Sequence, residues 1–62
     1  MSVSEEIRNA MKRLGLRQRD LVETIGARGR TSEIVNGKRS VSKAIALKLA
    51  RKLEVPVEKL IA

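Results

Sequence analysis

Helix-breaking residues divide this sequence into short segments, and their positions restrict the fold more than any other feature. Gly15, Gly26, the Asn36-Gly37 pair and Pro56 interrupt the chain along its length. Glycine ends helices because it enters the left-handed conformation cheaply, and proline cannot continue a helix that precedes it. Between these breaks, apolar residues recur every three or four positions, as on one side of an amphipathic helix. The pattern therefore predicts short helices and no strand.

Five predicted helices account for this pattern. A capping box is expected at Ser2 and Glu5, and Ser42 is expected to cap the fourth helix. Pro56 marks the start of the last helix. The first four cover residues 3–14, 17–25, 28–35 and 42–53, and the last carries Val57, Leu60 and Ile61 on its apolar side. We therefore expect an all-α fold, a compact five-helix bundle in which a single domain fills residues 1–62.

The charge balance favours a polyanionic partner. Fourteen Lys and Arg residues against seven Asp and Glu residues give a formal net charge of +7 and a pI near 10.9. The chain has no Phe, Tyr or Trp, so it cannot stack bases on aromatic rings as modules for RNA and single strands usually do. Among nucleic acids, the composition therefore favours double-stranded DNA.

The absence of cysteine and histidine excludes several kinds of chemistry. A chain without them has no disulfide, no thiolate, and neither the commonest metal ligand nor the commonest general base. A chain of 62 residues is also too short to enclose a large active-site cavity. We therefore expect no enzyme activity, no metal, no cofactor and no small-molecule substrate.

Membrane association is not expected either. No apolar run approaches the roughly 18 residues of a membrane span. The start MSVSEEIRN has neither a basic leader nor a hydrophobic signal core. A basic amphipathic peptide on an anionic membrane would form one long helix, and the glycine and proline breaks argue against it. We expect a cytoplasmic protein.

The third predicted helix has one apolar side and one polar side. Thr31, Ile34 and Val35 are expected to face inward. Any surface helix has a polar outer side, so this pattern alone also fits a helix that only faces water. Basic residues at both ends of the helix favour an interface with DNA, because phosphates would pass there. The outward residues are Gly29, Ser32, Glu33 and Asn36, and the flanking bases are Arg28, Arg30, Lys38 and Arg39.

A resemblance to a known family rests on residues spread over most of the chain. They are Gln18, Asp20-Leu21, Ile25-Gly26, Ser32-Glu33-Ile34-Val35, Asn36-Gly37-Lys38-Arg39, Ser42-Lys43-Ala44, Leu49 and Leu53. On these residues the stretch from Leu14 to Ile61 resembles the XRE/Cro-like helix-turn-helix family of phage repressors and bacterial regulators, and within it the shorter-turn version of HigA-type antitoxins. The resemblance implies a compact five-helix domain that binds operator DNA as a two-fold dimer and represses its own promoter or a toxin operon.

The resemblance also implies which residues contact DNA. At the base-reading positions the chain has Arg28, Gly29, Arg30, Ser32 and Glu33. At the phosphate-binding positions it has Arg17, Gln18, Asn36, Lys38, Arg39 and Lys43. Two of these residues have an alternative role. Glu33 also fits an ion pair with Arg30 or Arg28, and Gln18 also fits a polar cap for the second helix.

A two-fold dimer needs an exposed contact, for which the sequence offers four apolar candidates. They are Ile61, Leu60, Ile45 and Leu47. For Leu60 the alternative is to fold back onto the first helix and close the core. The second class of function is an antitoxin-type interaction module whose main partner is a toxin protein. Toxin wrapping usually needs an arm outside the domain, and the predicted domain leaves no such segment.

Three positions depart from the family pattern. Val22 replaces the small alanine that is usual where the two motif helices cross. The turn after Gly26 is one residue shorter than in most phage repressors. Glu54 lies where the fourth helix normally ends in glycine or asparagine, and a left-handed residue other than glycine costs about 1 kcal/mol. Either the cap differs there or stability is lost.

Overall fold

The computed structural model describes residues 2–61, and helices contain most of them. The elements in chain order are α1 (Val3–Leu14), α2 (Gln18–Ile25), α3 (Arg28–Val35), α4 (Lys43–Leu53) and a 3₁₀ turn (Val57–Lys59). No strand is present in the described residues. The predicted all-α class is confirmed.

The predicted fifth helix is corrected to a single 3₁₀ turn. Lys59 N donates to Pro56 O at 3.1 Å, and Leu60 N donates to Val57 O at 2.9 Å, which are bonds of the tighter 3₁₀ spacing. The segment comprises the three residues Val57–Lys59, and the side chain of Leu60 directly after it is buried in the core. The architecture is therefore four α-helices closed by this turn.

Side-chain caps begin two of the helices as the sequence predicts. Glu5 N donates to Ser2 Oγ at 3.2 Å and Ser2 N donates to Glu5 Oε1 at 3.4 Å, which completes the capping box of α1. Ile45 N donates to Ser42 Oγ at 3.3 Å at the start of α4. These bonds satisfy N–H groups that have no partner within their helices.

One hydrophobic core holds the elements together. Both α3 and α4 pack on α1 and α2, and the 3₁₀ turn packs on α4. The buried apolar residues are Ile7, Ala10, Met11, Leu21, Ile25, Ile34, Val35, Ala46, Leu49, Ala50, Leu53 and Leu60. Leu60 is 1% exposed, so the structure favours its core-closing role. Its side chain is not available to the dimer contact suggested by the sequence.

Helix α4 ends at a strained residue. Glu54 has φ 57° and ψ 46°, in the left-handed region, and it is the one non-glycine residue with positive φ in the part of the chain that the structure describes. This conformation lets Val55 N donate to Ala50 O at 3.1 Å, a bond typical of glycine-capped helix ends. Of the two alternatives that the sequence leaves open at Glu54, a different cap or a left-handed residue, the structure has the left-handed residue.

Replacing Glu54 with glycine is expected to stabilise the protein. Glycine adopts this conformation without strain, which stabilises the folded state. The greater freedom of glycine in the unfolded chain offsets part of this effect. Glu54→Gly should therefore raise the free energy of unfolding by roughly 0.5–1 kcal/mol. Urea denaturation followed by circular dichroism measures it. The matched control is Glu23→Gly at an exposed position within α2, which should lower the free energy of unfolding by about 1 kcal/mol. A loss in both variants would contradict the strain at Glu54.

Candidate nucleic-acid interface

A two-residue turn sets the arrangement of α2 and α3. Gly26 has φ 100°, and its N–H donates to Val22 O at 2.6 Å, which ends α2. Ala27 is extended, with φ −154° and ψ 137°, and its carbonyl accepts the first bond of α3 from Thr31 N at 2.9 Å. Two helices joined by so short a turn lie next to each other, and α3 packs on α2.

Helix α3 has the two distinct sides that the sequence predicts. Thr31, Ile34 and Val35 are 0%, 2% and 4% exposed. Thr31 is the only buried polar residue among residues 2–61, and its Oγ1 donates to Ala27 O at 2.6 Å, so no buried polar atom is left unsatisfied there. The opposite side carries the exposed Gly29 and Glu33 and the half-buried Ser32, and the exposed Arg28 and Arg30 flank it at the beginning of the helix.

The beginning of α3 is electrostatically unlike the beginning of α1 and α2. Those helices carry acidic residues in their first turns, whereas α3 has none and carries Arg28 and Arg30. Ala27 supplies no capping side chain either. The positive end of a helix dipole is an unfavourable place for cations. The unpaired N–H groups and the two guanidinium groups together make this end suited to an anion.

The Asn36-Gly37 turn directs the chain back along the end of α3. Gly37 has φ 76°, its N–H donates to Ile34 O at 3.2 Å, and Lys38 N donates to Glu33 O at 2.8 Å. This pair of bonds is a Schellman cap. It keeps Lys38 and Arg39 beside the last turn of α3 rather than in an extended loop.

Asn36 uses its side chain within this cap. Its Nδ2 donates to Ser32 O at 2.8 Å and lies 3.3 Å from Ser32 Oγ. The amide nitrogen of Asn36 is thus directed at Ser32. A phosphate contact through Nδ2, as the family resemblance implies, requires the amide to turn away from the helix.

Glu33 forms an ion pair, but with a different partner from those considered in the sequence. Arg39 Nε donates to Glu33 Oε1 at 3.0 Å, and this is the only ion pair within the described part of the chain. Arg28 and Arg30 have no such contact. Sequence inspection missed the pair because Glu33 and Arg39 are six residues apart, and only the turn at Gly37 brings them together.

The beginning of α2 carries two further candidates. Arg17 N donates to Asp20 Oδ2 at 2.8 Å and Asp20 N donates to Arg17 O at 2.9 Å, so Asp20 caps the helix. Gln18 is exposed and forms no hydrogen bond through its side chain to any of residues 2–61, which speaks against the capping alternative. The sequence signal for such a cap is an acidic residue three positions after the cap position, and it was missed for Asp20. Lys43 is exposed at the first position of α4.

The three remaining dimer candidates have different surroundings. Leu47 and Ile61 are 49% and 42% exposed. Ile45 is half-buried and packs against the core. Among residues 2–61, Leu47 and Ile61 are therefore the large apolar side chains exposed to a partner.

Comparison with known protein families agrees with this geometry. A helix-turn-helix family model of the XRE type matches residues 7–60, which include both motif helices and the turn between them. The chain therefore belongs to the XRE-type helix-turn-helix family of DNA-binding regulators. No curated protein and no solved structure matches the chain.

The described residues form neither a metal cluster nor a membrane-spanning helix. Within residues 2–61, no group of three or more Asp and Glu side chains is arranged to hold a metal ion. None of the helices in this range has the length and apolar character needed to cross a membrane.

Replacing Gly37 with alanine is expected to destabilise the cap of α3. An alanine at this position would have a strained φ, and its Cβ would lie 3.0 Å from Ser4 Oγ in α1. We expect Gly37→Ala to lower the free energy of unfolding by roughly 1–2 kcal/mol, measured by urea denaturation.

A double-mutant cycle separates the two causes. Ser4→Ala removes the hydroxyl but leaves the backbone strain, so it should recover part of the loss only when combined with Gly37→Ala, with a coupling of roughly 0.5 kcal/mol or more. Purely additive effects would show that the Ser4 contact is unimportant, and a neutral Gly37→Ala would contradict the strained turn.

Proposed function

We propose that the protein is a sequence-specific regulator that binds double-stranded DNA with α3 in the major groove and represses transcription by occupying a promoter. One observation carries the proposal: within the matched motif, α3 buries Thr31, Ile34 and Val35 and exposes a polar side that basic residues flank at both ends of the helix. The major groove is wide enough to admit such a helix, and its base edges present hydrogen-bonding groups.

The exposed residues divide into two proposed roles. Phosphate contacts fix the position of the protein, and contacts to base edges supply sequence preference. The proposed phosphate contacts are Arg17, Gln18, Asn36, Lys38, Arg39 and Lys43. The proposed base-reading residues are Arg28, Gly29, Arg30, Ser32 and Glu33. Arg28 has the guanidinium fork that matches O6 and N7 of guanine.

Pairing of two modules completes the proposal. A module whose Cα atoms extend over 24 × 23 × 18 Å contacts too little DNA for high specificity by itself. Two copies related by a two-fold axis would read two half-sites about one helical turn apart. The exposed Ile61 and Leu47 are the proposed contacts of this dimer, with Ile45 at its edge.

Selection from a randomised duplex library tests the proposed function directly. The protein should enrich a palindromic motif. Its affinity for the selected duplex should fall by about 10³-fold or more between about 50 and 200 mM salt, if six or more phosphates are neutralised. The absence of an enriched motif, or an affinity that hardly depends on salt, would refute the proposal.

The two proposed roles, recognition of bases and contact with phosphates, predict different effects of substitution on DNA binding. Arg28→Ala should relax preference at one base position at a loss of roughly 1–3 kcal/mol for the selected duplex. Lys38→Ala should weaken binding to all sequences alike and reduce the salt slope by about 1. Binding isotherms on the selected duplex and on single-base variants measure both effects. Identical behaviour of the two variants would contradict the assigned roles.

Replacing Gly29 with alanine is expected to raise stability and to weaken DNA binding. A Cβ there meets no atom of the protein within 4 Å, and alanine favours the helix, so Gly29→Ala should raise the free energy of unfolding by roughly 0.5–1 kcal/mol. If the backbone approaches the base edges at this position, the added methyl group should weaken DNA binding by about tenfold, or 1.4 kcal/mol. Thermal unfolding and DNA titration of one preparation measure the two quantities. A stabilised variant with unchanged affinity would place Gly29 outside the interface.

A further inference from the structure

Two contacts hold the basic loop, which consists of Lys38 and Arg39 after the Gly37 turn, against Glu33. Arg39 Nε donates to the Glu33 carboxylate at 3.0 Å, and Lys38 N donates to the Glu33 carbonyl at 2.8 Å. One residue of α3 thus accepts from both of the basic residues that follow the Gly37 turn. The position of the loop and the position of the Glu33 side chain are therefore linked.

The ion pair has little to contribute to folding. The side chains of Arg39 and Glu33 are 49% and 48% exposed. Pairs of this kind gain little from Coulomb attraction because water and salt screen them. Removal of either charge should leave the fold intact, which makes the pair accessible to mutation.

A carboxylate on the exposed side of α3 has a specific use and a specific disadvantage on DNA. It accepts hydrogen bonds and donates none, and in the major groove it matches the N4 amino group of cytosine. The surrounding phosphates repel it. A guanidinium bound to the carboxylate cancels that repulsion and fixes one side-chain conformation.

Arg39 retains donors for a second contact. Its Nε is used on Glu33, whereas the four N–H groups on its two terminal nitrogens are not bound to a side chain in residues 2–61. A guanidinium can therefore bridge Glu33 on one edge and a phosphate on the other.

We propose that Arg39 is a positioning residue, which holds Glu33 toward the cytosine of a C·G pair in the operator while it contacts the neighbouring phosphate. This inference rests on the proposed DNA-binding function. In this arrangement the contact of Arg39 with the phosphate and the recognition of one base pair by Glu33 depend on each other. The binding site should then carry a C·G pair where Glu33 lies, and its preference should depend on Arg39 as much as on Glu33.

A double-mutant cycle with a base-preference readout tests the coupling. The proteins are the full chain, Glu33→Gln, Arg39→Ala and the double variant, each titrated with the library-selected duplex and its single-base variants. Glu33→Gln should move the preference at one position from cytosine toward adenine, because an amide both donates and accepts. Arg39→Ala should flatten preference at that same position and weaken binding by about tenfold or more.

The coupling itself is read from the double variant. Arg39→Ala should weaken binding several-fold less in the Glu33→Gln background, because no carboxylate is left to neutralise. Lys38→Ala is the matched control, since Lys38 touches Glu33 only through its backbone N–H, and it should weaken binding equally in both backgrounds. Arg39→Lys should recover affinity but not base preference, because an ammonium group lacks the planar fork.

The outcomes separate the inference from the function on which it rests. If the unaltered protein enriches no motif, both fail. If it enriches a motif, but Arg39→Ala is equally harmful in both backgrounds and leaves every base preference unchanged, Arg39 is only a phosphate contact and the inference alone fails. Thermal unfolding of each variant by circular dichroism confirms that the comparison concerns folded proteins.

Discussion

The burial of one side of α3 is the constraint on which the candidate interface depends. Thr31, Ile34 and Val35 fix the rotation of the helix, and the hydroxyl of Thr31 is accommodated because it bonds to Ala27 O. Once that rotation is set, the direction of every exposed residue on α3 follows from the 3.6-residue period. A short helix that could turn about its axis would present no defined pattern to DNA, however suitable its side chains.

The beginning of α3 illustrates how function and stability oppose each other in a small domain. The beginnings of α1 and α2 have an acidic residue and a capping side chain, and α3 has neither. Instead the end has Ala27, Arg28 and Arg30. This choice weakens the isolated helix, and an anionic partner would reverse the sign of the effect. Local rules are most often broken where a protein binds something.

Much of the fold could be predicted from the sequence because its signals are local. Serine marks the beginnings of α1 and α4, glycine marks the ends of α1 and α2, and the apolar period identifies the buried sides of the helices. The last turn could not be predicted so well, since α-helical and 3₁₀ geometry at Val57–Lys59 depend on how Leu60 meets the core. The pairing of Arg39 with Glu33 was also missed. It depends on the chain reversal at Gly37, which no helical spacing rule describes.

The cleft between α1 and the basic loop has a topological consequence. Its wall, around a volume of about 310 Å³, includes Ser2 and Val3 from one end of the described chain and Leu60 from the other. The start of α1 and the residue that follows the 3₁₀ turn therefore border the same cleft, so a change in the packing of either one alters the same surface.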